Sequence, residues 1–79
     1  MTSHERMVSA QEVKQVIFTG DIIEDYPEDK RGHSCLMFGH GENNRPIHVV
    51  CSPKKDYLAI ITAYVPTTQH WKSDFKTRK

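Results

Sequence analysis

Two spacings of apolar residues divide the chain. Val13, Val16 and Ile17 recur at helical spacing. They follow Ser9-Ala10-Gln11-Glu12, a capping box in which the Ser9 hydroxyl accepts from the Glu12 backbone and the Glu12 carboxylate accepts from the Ser9 backbone. Val8 and Val13 fit a hydrophobic staple across that cap. The pattern predicts a helix from about Ser9 to Thr19, with Gly20 in the left-handed conformation that ends it. Beyond Gly20 the period changes. Ile22-Ile23 opens a short strand that stops near Pro27, and Ser34 to His40 reads as a second strand. Arg45 to Cys51 and Tyr57 to Val65 read as a β-hairpin, ended by Pro66, which has no N–H for a ladder. Trp71 and Phe75 are large enough to dock on the body, while the last basic residues fray.

A helix followed by four strands on short loops predicts an α+β fold. The N-terminal helix packs on a four-stranded antiparallel meander sheet, with residues 1–79 forming one domain. A four-residue turn at Gly41–Asn44 sets Leu36 opposite Val49 and Phe38 opposite Ile47, facing the helix. A five-residue loop at Pro53–Tyr57 sets Ile61 opposite Val49 and Ala63 opposite Ile47, with Ala59 and Ala63 letting the helix come close. His48 then lies on the other face beside Thr62, near Tyr64 and Met37. A four-residue turn in that second hairpin would carry Thr62 and Tyr64 to the helix side instead.

Composition narrows the function classes. A chain of 79 residues supports a small core, worth no more than about 3–5 kcal/mol without a staple, so a dimer or bound partner is plausible. The net charge of +1 does not mark a nucleic-acid binder, although Lys72, Lys76, Arg78 and Lys79 make the C-terminus basic. No stretch is apolar enough to cross a membrane and no signal-type run opens the chain, so the expected location is cytoplasmic. Cys35 and Cys51 read as free thiols in apolar runs rather than as a disulfide framework or nucleophiles. His33, Cys35, His40, His48 and Cys51 lack the paired spacing of a zinc site, and no phosphate-binding glycine loop is present. No metal or cofactor is expected.

Several stretches resemble a family of small bacterial proteins, the domain-of-unknown-function family 4258. They are Arg6-Met7 with Ser9 and Glu12-Val13, Gly20-Asp21-Ile22-Ile23-Glu24, Arg45-Pro46-Ile47-His48-Val49-Val50, Ile61-Thr62-Ala63-Tyr64-Val65-Pro66, and Trp71. The family looks related to RelE- and BrnT-like toxins of the barnase–colicin–RelE group, in which an antiparallel sheet backed by an N-terminal helix cleaves RNA without metal. The resemblance therefore implies a bacterial ribonuclease toxin, with RNA as substrate and a small antitoxin protein as partner. Family members place a histidine one helical turn before the arginine. Here His4 and Arg6 are two apart and would point to different sides of a helix.

Metal-free RNA cleavage needs a base for the ribose 2′-hydroxyl, an acid for the leaving oxygen, and positive charge at the phosphate. His48 suits proton transfer, Tyr64 and Thr62 can hydrogen-bond, and Arg45 can grip phosphate if it reaches round from the strand end. Lys54, Lys55, Arg78 and Arg6 are further candidates for binding the RNA backbone. Each also has an ordinary reading: a satisfied buried histidine, a packed tyrosine, a strand threonine, solvated surface bases. On that reading the chain is a non-catalytic protein-interaction module on the same scaffold.

Overall fold

A computed structural model describes residues 7–30 and 32–79. Helix α1 spans Ala10–Thr19, and strands β1 Asp21–Tyr26, β2 Ser34–His40, β3 Pro46–Pro53 and β4 Leu58–Tyr64 follow. The strands form one antiparallel sheet in the order β1-β2-β3-β4, the predicted meander. The capping box forms as expected, with both Ser9–Glu12 hydrogen bonds at 3.1 Å. Gly20 ends the helix, but not as expected. It is extended, with φ −84° and ψ −179°. A glycine is needed there because a Cβ would lie 2.5 Å from the Phe38 carbonyl oxygen and 2.6 Å from that of Val16.

The helix packs over the centre of the sheet. Val16, Cys35, Ile47, Val49 and Cys51 make the buried cluster between them, with Val8, Val13, Ile17, Met37 and Ala63 at its margin. The expected register of the first hairpin is wrong by one residue. Phe38 faces His48 and Leu36 faces Val50, so Leu36 and Phe38 lie on the side away from the helix, while Met37 joins the helix-side core. The cause is the turn. His40 pairs with Pro46 rather than with Arg45, and the five residues between them include a short 3-10 turn, Glu42–Asn44. Asn43 and Asn44 supply its left-handed backbone, at φ 56° and 59°, a conformation asparagine tolerates better than most residues.

The second hairpin departs twice, and the departures cancel. Pro53 pairs with Leu58, which leaves a four-residue turn rather than five. A bulge then follows, since Cys51 faces Ile60 while Val50 faces Thr62. The extra residue, Ile61, reverses the faces a second time. Tyr64 thus opposes His48, and Ala63 opposes Val49 on the helix side; the expected Ile61–Val49 and Ala63–Ile47 pairs do not form. Ala59, expected on the helix side, falls opposite Ser52 on the far face, and Ile60 takes its place opposite Cys51.

Residues 66–79 cross the far face. Trp71, 4% exposed, is buried there, and Arg78 forms an isolated bridge with it. The basic end is therefore anchored rather than frayed. No helix among the described residues is long and apolar enough to cross a membrane.

Candidate functional site

The sheet face away from the helix collects the chain's chemistry. His48 stands at its centre, fully buried. Its Nε2 lies 2.7 Å from the Phe75 carbonyl oxygen, which can only accept, so Nε2 carries the proton. Nδ1 is then the acceptor and takes a 3.1 Å hydrogen bond from the Tyr64 hydroxyl. Trp71 packs edge-on to the imidazole with centroids 4.5 Å apart, and Phe38 and Tyr64 pack edge-on at 5.8 and 5.3 Å. Burial lowers the His48 pKa below its ordinary value, against the raising effect of the Phe75 hydrogen bond. Burial likewise raises the Tyr64 phenol.

A charged group adjoins this pair at the solvent edge. Arg78 grips Glu24 with two hydrogen bonds, Nε at 2.8 Å and Nη2 at 2.9 Å. Its guanidinium stacks 4.6 Å from the centre of the Trp71 ring. The Tyr26 hydroxyl donates to the same carboxylate. The Arg78 hydrogen bond holds Glu24 below the usual carboxylate range, and burial raises Tyr26. Glu24 reaches this face because of a bulge. Ile22 faces Met37 on the helix side, whereas Glu24 faces Leu36, so skipping Ile23 turns the carboxylate over. Period-two reading of the strand would have put Ile22 and Glu24 on one face, and it missed Glu24 and Tyr26 altogether. The available signal was an acidic residue directly after the isoleucine pair, in Ile22-Ile23-Glu24.

The candidates named from the sequence separate. His48 and Tyr64 meet as expected. Thr62 shares their face but opposes Val50 and is exposed, one pair along from the imidazole. Arg78 belongs to the site, though held by a carboxylate. Arg45 does not belong. It turns to the helix side and binds the Glu12 carboxylate through Nε at 2.9 Å and Nη2 at 2.6 Å, and its Nη2 also donates to the Met7 carbonyl. Glu12 further accepts from the Glu42 backbone at 2.8 Å, and its pKa falls to about 2, chiefly through the Arg45 hydrogen bond. Arg45 is thus a staple between the helix cap and the β2–β3 turn. Lys54 and Lys55 lie in the β3–β4 turn, six and seven residues beyond His48, or about 20 Å along a strand. Arg6 and His4 lie outside the described residues.

The cysteines face each other across β2 and β3 with sulfurs 3.7 Å apart, both buried and unoxidised. Burial, then the Cys35 thiol beside it, pushes the Cys51 thiol up to about 12, so Cys51 is no nucleophile in this setting. On the helix side, Ala10, Val13, Lys14, Ile17, Phe18 and Ile60 line an open groove of about 420 Å³. Phe18 is 78% exposed beside it.

No curated protein and no solved structure matches the chain. One family model does, over residues 2–65, which include His48, Tyr64, Glu24 and Tyr26. The chain belongs to the family described as Domain of unknown function (DUF4258).

Proposed function

We propose that this chain is a metal-independent ribonuclease of the toxin type, with its site on the sheet face away from the helix. The observation that carries the reading is the assembly of Glu24, Tyr26, His48, Tyr64 and Arg78, from β1, β3, β4 and the C-terminal segment, in one cluster on that face. Arg78 supplies the planar fork that matches phosphate oxygens. Glu24, once phosphate competes for that fork, becomes the base for the ribose 2′-hydroxyl. His48 presents Nε2–H to the Phe75 carbonyl oxygen, and a phosphate oxygen in its place would accept that hydrogen bond while the imidazole stays neutral, the leaving ribose oxygen taking its proton from water. Tyr64 fixes the imidazole tautomer through Nδ1. The toxin role and the small antitoxin partner rest on the likeness to RelE- and BrnT-type proteins.

Induced expression followed by RNA cleavage in chelator tests it. Growth arrest and cleavage should both fall by roughly 100-fold or more in His48→Ala and Glu24→Gln proteins that remain folded. Arrest untouched by either change would sink the reading. A second reading, a non-catalytic interaction module, is favoured by the exposed Phe18 beside the groove lined by Val13, Ile17 and Ile60, an apolar surface of the kind that marks protein contacts. Absence of arrest together with absence of cleavage would select it.

A further inference from the structure

Residues 66–79 hold a conformation built largely from their own contacts. Asp74 accepts from the backbones of Lys76 and Thr77 at 2.9 and 3.1 Å and from the Thr77 hydroxyl at 3.0 Å. Lys72 and Phe75 close the turn through Lys72 N to Thr77 O and Phe75 N to Lys72 O, each 2.8 Å. Lys79 N reaches His70 O at 3.1 Å. The segment can therefore move as a unit without first unravelling.

Its attachments to the sheet differ in kind. The Trp71 ring and the Phe75 carbonyl cover His48, one by packing and one by accepting its proton. Phe75 adopts φ 57°, a left-handed conformation that is strained for a bulky residue. That strain is carried by the residue whose carbonyl seals the imidazole. The outer attachment is Arg78 to Glu24, with the guanidinium side chain 57% exposed and the carboxylate 23%. A solvent-screened pair of this sort adds little to stability. The fork that holds the segment shut is thus exposed to any phosphate that approaches, and phosphate matches it as well as a carboxylate does.

The geometry points to residues 66–79 as a strap over the His48–Tyr64 pair, opened when RNA phosphate takes Arg78 from Glu24. The inference rests on the ribonuclease reading of the same site, and adds that the substrate unlocks it. Opening frees His48 Nε2 from the Phe75 carbonyl and exposes Trp71, with Val65-Pro66 as the pivot where β4 ends. In the closed state the groups that would hold the RNA phosphate are occupied, Arg78 by Glu24 and His48 by the Phe75 carbonyl.

The chain's one tryptophan, Trp71, reports the strap directly. The full chain is titrated with a single-stranded RNA oligonucleotide whose 2′-oxygens are all methylated, so that it binds without being cleaved. Acrylamide quenching of Trp71 should rise severalfold at saturation, and amide exchange should accelerate over residues 71–79 but not over β2 and β3. Glu24→Gln, which loosens the outer attachment without touching the core, should raise quenching in the absence of RNA. Failure of the RNA to bind, or saturation with Trp71 still protected, overturns the strap. Opening without cleavage of unmodified RNA upholds the strap and removes the ribonuclease. Cleavage while Trp71 stays protected throughout turnover does the reverse.

Discussion

At the scale of single residues, two ionisable side chains are buried for different reasons, and pH separates them. His48 is neutral in the fold, with a pKa lowered by burial from its ordinary 6.5. Below that value the unfolded chain takes up a proton that the folded chain refuses. Stability should therefore fall as pH drops from 7 to 5, and thermal melts of His48→Gln should lose that slope. Glu12 behaves as an acid with the opposite requirement: its folded pKa, about 2, lies below its ordinary 4.5. Its contribution is complete above about 4.5 and disappears as pH falls towards 2. Glu12→Gln should cost about 2–3 kcal/mol in urea unfolding at pH 7, because Arg45 keeps its charge and loses the carboxylate that balances it. It should also abolish the steepest part of acid unfolding between pH 4.5 and 2.

Among the elements, joints matter as much as strands. The turn from α1 into β1 brings the Gly20 backbone against the carbonyls of Val16 and Phe38, closer than any Cβ could sit. Gly20→Ala should destabilise by about 2 kcal/mol or more, measured by thermal melting, although alanine is the better helix former. The helix and the four strands were legible because capping box, apolar stripe and turn residues agree on each. The face presented by β2 was not legible. A left-handed Asn43-Asn44 pair lengthens its turn by one residue, and with a period of two that moves Leu36, Phe38 and Met37 together to the wrong sides. The bulges at Ile23 and Ile61 escaped for the same reason, since an inserted residue leaves composition unchanged while it re-aims Glu24 and Tyr64. His48 and Tyr64 still came out together because the short turn and the Ile61 bulge offset each other. Arg45 did not, because nothing in its local pattern reveals a carboxylate 33 positions earlier in the chain.

Across the whole molecule the sheet separates two layers. One is aliphatic and lies beneath α1; the other is aromatic and charged and lies beneath residues 66–79. The first layer stabilises a scaffold, and the second holds every group that a hydrolytic reading requires. Sequence periodicity reads the first layer well. The second depends on a segment with no regular structure, whose docking no period announces.

The paired cysteines give this small protein a built-in clock. Cys35 and Cys51 sit in the first layer, buried with Val16 and Ile47, and burial keeps Cys51 a protonated thiol. A brief pulse of iodoacetamide should therefore leave the native chain unmarked and alkylate each molecule only while it is globally open. Alkylation counted by mass spectrometry then gives the opening frequency with no engineered label. Double modification should dominate over single, because separating strands β2 and β3 uncovers both sulfurs in one event.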